Sequence, residues 1–297
     1  MKSTPVIQTN QLKKSFRGVD AVRGLTLSVE PYQITAFLGA NGAGKSTTIK
    51  MLLGMIKPTS GEATVLGKRI DDPAESLDLR RHVAYVSEDK RLYGYMTVDQ
   101  MIRFTSSFFS DWRADVAEAL VTRYELPLNR KIRSLSKGMR TKLALLLAFA
   151  RQPKLLILDE PSEGLDPHGI EELLESLVAH CAEGTAVFFS THQIAEVERI
   201  ADRVCILSKG QLVLDSSFDD LRQDYRQINL VFPAPPPKGQ FQLVGVRDVQ
   251  TKGHQMAIFA SGNSEAIIRK AHEFNPTSVE VTPVGLREIY LQTARGN

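Results

Sequence analysis

The sequence lacks any long apolar run. Its longest, Leu143 to Ala150, is less than half of the ~18 residues that span a bilayer, and MKSTPVIQTNQLKKSF at the N-terminus has no hydrophobic segment of the secretory type. If the chain works at a membrane, other subunits are expected to do the spanning. Cysteine is scarce. Cys181 and Cys205 stand far apart with no CxxC or Cys/His spacing around them, which argues against a disulfide framework or a zinc site and suits a reducing cytoplasm. An excess of one charge is missing too: 37 Lys and Arg against 34 Asp and Glu give +3, with no run of like charges, so nucleic acid is not an expected partner. There is no internal repeat, and hence one copy of whatever site the chain carries. The remainder is ordinary globular usage, 42% hydrophobic and 24% charged over 297 residues, enough for one large domain or two of common size.

Hydrophobic patterning predicts strands at Val6 to Leu12 and Val22 to Val29, and a short buried strand at Ile34 to Leu38. A glycine-rich turn follows, then a helix from about Lys45 to Met55 with Ile49, Leu52 and Leu53 on its apolar face, stopped by Lys57-Pro58. Thr97 to Ala150 reads as helical, broken at Leu126-Pro127-Leu128. Buried strands at Lys154 to Leu158 and Ala186 to Ser190 enclose a helix over Ile170 to His180, the alternation of a parallel α/β sheet. The composition changes after Leu214. Pro233, Pro235, Pro236 and Pro237 cannot continue a helix or central strand, so a boundary is expected near residues 216 to 226. The tail is expected to form a small α+β module with strands around Ile228 to Phe232, Phe241 to Val246 and Met256 to Phe259 and a helix over Ser264 to Phe274.

Gly39-Ala40-Asn41-Gly42-Ala43-Gly44-Lys45-Ser46-Thr47 satisfies GxxxxGK[ST]. Small residues let backbone N–H groups wrap a phosphate chain, Lys45 reaches the terminal phosphates and Ser46 a Mg²⁺ ion. Alone, this loop specifies a nucleoside triphosphatase of unstated purpose. Leu155 to Glu160 places Asp159 and Glu160 at the carboxyl end of a buried strand, where ligands of open α/β sheets collect. Asp159 is suited to hold Mg²⁺ through water and Glu160 to polarise an attacking water. His192 ends a second apolar strand.

With Ser134-Leu135-Ser136-Lys137-Gly138-Met139 shortly before the Asp-Glu strand, the chain resembles the ATP-binding cassette (ABC) family, over roughly residues 6 to 215. The resemblance implies an α/β P-loop fold: a RecA-like core, an antiparallel β subdomain and an inserted helical subdomain at about 92–150. These make up a nucleotide-binding domain over 1–220, with the α+β module at 226–297. It also implies ATP and Mg²⁺ as ligands, and a head-to-tail pair of cassettes, homodimeric or heterodimeric. In that pair Ser136, Lys137 and Gly138 of one cassette cap the ATP held by Gly39 to Thr47 of the other. His192 matches the switch histidine that meets the γ-phosphate, and Asp166 of Gly164-Leu165-Asp166 the residue that couples the paired sites. The bland role of Asp166 is a helix cap. Phe16 corresponds to the aromatic residue that stacks on adenine, although an aromatic near strands commonly lies in the core. Ser136 also reads as a helix cap on physical grounds alone.

Lys137 and Met139 depart from the usual Gly and Gln of the family's signature, and one further departure matters more. Val83-Ala84-Tyr85-Val86-Ser87-Glu88 has glutamate where glutamine is usual, and Glu88 is expected to act as a metal-side ligand. Leu92, Tyr93, Tyr95, Met96 and Phe104 are candidates either for a groove that receives a permease helix or for core. The leading expectation is the ATPase subunit of a transporter with separate transmembrane permease subunits, at the cytoplasmic face of the cell membrane. The signature form and the C-terminal extension resemble bacterial exporters. The alternatives are a soluble ABC ATPase of translation or DNA repair, disfavoured by the single cassette, and a non-hydrolysing nucleotide sensor, disfavoured by Glu160.

Overall fold

The computed structural model describes residues 4–236 and 239–295; Pro237 of the proline cluster lies outside the described residues. The chain divides into two compact units, the first ending at Asp215 and the second beginning at Ser216.

In the first unit, β1 (Ile7–Phe16), β2 (Val19–Val29), β4 (Ser60–Val65) and β5 (Lys68–Arg69) make an antiparallel sheet in the order β2-β1-β4-β5. Between its strands the chain enters a second sheet through β3 (Ile34–Leu38) and leaves through α1 (Lys45–Leu52). That sheet runs β10-β9-β3-β8-β7-β6, with β6 (Val83–Val86), β7 (Leu155–Asp159), β8 (Ala186–Thr191), β9 (Arg203–Ser208) and β10 (Gln211–Ser217). The contacts β6·β7, β7·β8, β8·β3 and β3·β9 are parallel. Every residue of β3, β7 and β8 is buried, which explains their unbroken apolar runs: a parallel strand covered on both faces has no solvent side to alternate with. Phe37 of β3 and Phe188 of β8 pack with ring centroids 5.3 Å apart, each side chain contributing ~1.5–3 kcal/mol by burial.

The connection from β6 to β7 is helical: α3 (Val98–Ser106), α4 (Ala114–Arg123) and α5 (Lys137–Phe149). α3 starts on a reciprocal capping box, in which Thr97 Oγ1 accepts from the Gln100 amide and the Gln100 side chain accepts from the Thr97 amide. α2 (Pro73–His82) precedes β6, while α6 (Pro167–Ala182) and α7 (Ile194–Ile200) flank β8. In the parallel strands, β3, β6, β7 and β8 among them, the chain leaves from the same edge, so the segments that follow them converge.

The second unit opens with α8 (Phe218–Asp224), capped by Ser217. A four-stranded antiparallel sheet of β11 (Tyr225–Val231), β12 (Val246–Lys252), β13 (Gln255–Ser261) and β14 (Ser278–Pro283) follows, ordered β12-β13-β11-β14, with α9 (Ser264–His272) and α10 (Leu286–Arg295). Its core gathers Ile228, Leu230, Phe241, Ile258 and Ile267 among others. One expectation is corrected: Phe241 to Val246 is not a strand. Phe241 enters the core from an irregular segment, and the strand begins at Val246. No helix among the described residues is long and apolar enough to cross a membrane.

Candidate functional site

The turn between β3 and α1 is shaped by its glycines. Gly42 and Gly44 have φ of +80° and +108°, values open to glycine and costly for other residues. A Cβ at Gly44 would stand 2.4 Å from the Ala21 carbonyl of β2, and one at Gly39 would stand 2.6 Å from the Leu207 carbonyl of β9, whereas Gly42 has nothing within 4 Å. The loop is thus wedged between the two sheets at both ends and open in its middle. Lys45 begins α1 and is 5% exposed. Its ammonium donates to the carbonyls of Gly39 at 2.7 Å and Ala40 at 3.3 Å, and lies 3.1 Å from Glu160 Oε1.

Glu160 is the centre of the arrangement. It follows β7, is 6% exposed, and has φ +47°, a backbone state that a non-glycine residue holds only when its surroundings fix it. Its second carboxylate oxygen lies 2.9 Å from His192 Nδ1. The carboxylate therefore bridges the phosphate-type loop and the residue that follows β8. Below it, Ser190 Oγ donates to Asp159 Oδ1 at 2.5 Å, while the Glu160 amide lies 3.2 Å from both the Ser190 carbonyl and its Oγ. His192 is aimed by its own turn: Thr191 Oγ1 accepts from the Gln193 amide and donates to Glu196 Oε2 at 2.9 Å. Burial raises the pKa of the Glu196 carboxyl.

A cleft of about 320 Å³ is lined by Ala21, Asn41, Gly42, Gly44, Lys45, Ser46, Thr47, Glu88 and Glu160. Eight of the sequence candidates, Asn41, Gly42, Gly44, Lys45, Ser46, Thr47, Glu88 and Glu160, therefore share one concavity. Asp159 and His192 are outside the lining; Asp159 precedes Glu160 in the chain and bonds Ser190, and His192 contacts Glu160. Phe16 is not in the lining; it is 47% exposed at the end of β1 beneath the Lys14 ammonium, so it is not a core residue. Ser136, Lys137 and Gly138 are also outside the lining. Ser136 Oγ accepts from the Met139 amide at 3.1 Å and caps α5. Lys137 is committed elsewhere, 2.5 Å from Glu163 Oε1, and this neighbour holds the Glu163 carboxyl below its usual range. Gly138 lies under the Gly164 carbonyl, which would be 2.8 Å from any Cβ there. Asp166 caps α6 through the Gly169 amide at 2.8 Å.

A second concavity of about 210 Å³ lies beside the segment after β6, with Tyr85, Ser87, Lys90, Leu92, Met101 and Arg151 in its wall. Arg151 donates to the Arg80 carbonyl at 2.9 Å and stacks on Phe109, and burial lowers its pKa to about 10. Of the aromatic candidates Tyr93, Tyr95 and Phe104 none is core: together with Phe108, which the sequence reading did not single out, they form a chain of exposed rings with centroids 5.0 to 5.8 Å apart. Sequence reasoning missed Lys90 and Glu163, whose roles come from long-range contacts, and Glu196, which bonds Thr191 within the turn after β8. It could have found Ser190, a polar residue at the carboxyl end of an otherwise apolar strand.

No group of three or more His, Cys, Asp or Glu able to hold a metal occurs among the described residues. Ser46 and Glu88 nevertheless offer hard oxygen donors to the cleft that Lys45 enters. That donor set fits a cation that takes the rest of its shell from phosphate oxygens and water, which is how Mg²⁺ is usually held.

Comparison with known proteins agrees with this geometry. The ABC transporter family model matches residues 22–163. An uncharacterized ABC transporter ATP-binding protein of Nostoc sp. strain PCC 7120 is 34% identical over 241 residues, 74% of this chain and 69% of that protein. Nod factor export ATP-binding protein I of Rhizobium etli is 33% identical over 221 residues, 72% and 69% of the two chains. A solved ATP-binding subunit of an ABC transporter superposes with a TM-score of 0.67 at 32% identity, over 73% of this chain and 92% of that one. With a cleft built from the turn after β3 and the segments that follow β6 and β7, the chain belongs to the ABC transporter ATP-binding proteins and is an ATPase subunit of that family.

Proposed function

We propose that Glu160 is the general base of ATP hydrolysis in this subunit, and that the cycle powers export through separate membrane-spanning subunits. The observation that carries the reading is the Glu160 carboxylate held between Lys45 at 3.1 Å and His192 at 2.9 Å. Glu160 takes a proton from the attacking water. The water oxygen bonds to the γ-phosphorus, and the bond from that phosphorus to the β,γ-bridging oxygen breaks, leaving ADP and phosphate. Lys45 offsets the negative charge that the breaking bond leaves on the β,γ-bridging oxygen. His192 orients the base and, being half-exposed, is free to meet the γ-phosphate. Asn41, Gly42, Ala43, Gly44 and Thr47 wrap the phosphates, and exposed Phe16 offers a face for adenine.

Mg²⁺ held by Ser46, Glu88 and, through water, Asp159 would neutralise charge on the β- and γ-phosphates. Ser136 and Gly138, outside the cleft at the open start of α5, suit a role in trans. A second cassette, identical or not, completes each site, and Asp166, beyond capping α6, is assigned the coupling of the pair. Lys137 serves that interface indirectly, through Glu163. The concavity beside Leu92 and the exposed rings from Tyr93 to Phe108 suit a cytoplasmic helix of a permease, which puts the subunit at the inner face of the membrane. Export is favoured by the Nod factor export relative. Affinity purification of the tagged chain from its own cells tests the reading: co-purification with a membrane-spanning subunit is expected, and a stable complex with ribosomes in its place would overturn it.

A further inference from the structure

Lys90 is the most deeply buried cation outside the phosphate-type loop that touches the site, at 6% exposed. It follows β6 in a tight turn, with its amide bonded to the Ser87 carbonyl at 3.1 Å and φ +44°. Its ammonium donates to the main-chain carbonyl of Glu160 at 2.8 Å, across 70 positions of sequence. Burial lowers the Lys90 pKa, so the fold spends solvation energy to hold an ammonium there.

What the bond does follows from the backbone of Glu160. The left-handed φ of that residue is secured on its amide side by Ser190. On its carbonyl side it is secured by Lys90 at 2.8 Å and by the Glu163 amide at 3.3 Å. The side chain can point at Lys45 and His192 only while both peptide planes keep their orientation. Lys90 also lines the second concavity, beside Ser87, Leu92 and Arg151. One residue therefore adjoins that groove and bonds the main chain of the base.

We infer that Lys90 is a positioning residue for hydrolysis: its hydrogen bond to the Glu160 carbonyl fixes the aim of the Glu160 carboxylate. This rests on the reading of Glu160 as general base. The role predicts a loss in the chemical step without a loss in nucleotide capture, because no atom of Lys90 lines the nucleotide cleft.

The test compares Lys90→Met, which keeps the alkyl stem and removes the donor, with Lys90→Arg, which keeps a donor, in the full chain. Steady-state ATPase kinetics should show kcat down about tenfold in Lys90→Met, with KM and the Kd for ATP within about twofold, and most of the rate regained in Lys90→Arg. An unchanged kcat overturns the inference. So does a fall matched by weaker ATP binding, or one that Lys90→Arg does not relieve, since either marks a general structural role. If Lys90→Met does not fold, Lys90→Gln, too short to reach the carbonyl, is read against the same outcomes. Glu160→Gln run in parallel separates the two claims. If Glu160→Gln turns over at the wild-type rate, the base assignment fails; if its turnover collapses while Lys90→Met is normal, only the role of Lys90 fails.

Discussion

Replacing Glu160 by glutamine should tighten ATP binding while stopping hydrolysis, and the reason lies in the partners of Lys45. The ammonium is 5% exposed and 3.1 Å from the Glu160 carboxylate; at an effective dielectric of ~20 such a pair attracts by about 5 kcal/mol. Incoming phosphates must compete for that cation. Glutamine keeps the shape and removes the charge, and the carbonyls of Gly39 and Ala40 at 2.7 and 3.3 Å still hold the ammonium in place. Since those carbonyls and the cost of desolvation absorb most of the difference, about 1.4 kcal/mol of it should appear as affinity, a tenfold lower Kd. Turnover should fall by ~10²–10⁴, the usual effect of losing a positioned base. Calorimetric titration with ATP gives the first quantity and single-turnover phosphate release the second. Weaker or unchanged ATP binding refutes the competition between Glu160 and phosphate for Lys45. Hydrolysis at the wild-type rate refutes the base.

Two further outcomes follow from exposed carboxylates. Glu88→Ala should raise the Mg²⁺ concentration for half-maximal ATPase by about tenfold, and an unaltered Mg²⁺ titration would remove Glu88 from the metal side of the cleft. Glu163 has its pKa lowered in the folded chain by Lys137, so the stability it adds is complete above the unfolded carboxylate pKa of ~4.3 and is lost as pH falls through the lower folded value. With the two side chains 57% and 41% exposed, the contribution is only ~0.2–1 kcal/mol. Urea unfolding of Glu163→Gln from neutral to acidic pH should show a correspondingly shallower acid loss, and a slope identical to wild type would discount the pair.

The parts of the fold most legible in the sequence were those with a single physical cause. Strands β3, β7 and β8 are buried on both faces and so read as plain apolar runs, with Lys45, Asp159, Glu160 and His192 at or just beyond their ends. The second unit was harder. Its edge strand Val246–Lys252 is mostly exposed and polar and owes its conformation to pairing with β13, a cause that leaves little local trace. The apolar content of Phe241 to Val246 reflects instead Phe241 reaching the core from outside the sheet. Lys90 and Glu163 were invisible for a related reason: charged residues are normally solvated, and their partners stand 70 and 26 positions away.

The wedging of the phosphate-type loop separates two kinds of inheritance. Gly39 and Gly44 lack room for a Cβ because main-chain carbonyls of β9 and β2 press on them; the demand comes from the seam between the sheets and persists whether or not nucleotide ever binds. A paralogue that abandoned catalysis would be released from keeping Lys45 and Glu160, yet would remain bound to those two glycines by its own architecture. In such degenerate copies the glycine pattern records descent and folding, and only the lysine and the glutamate report that the chemistry survives.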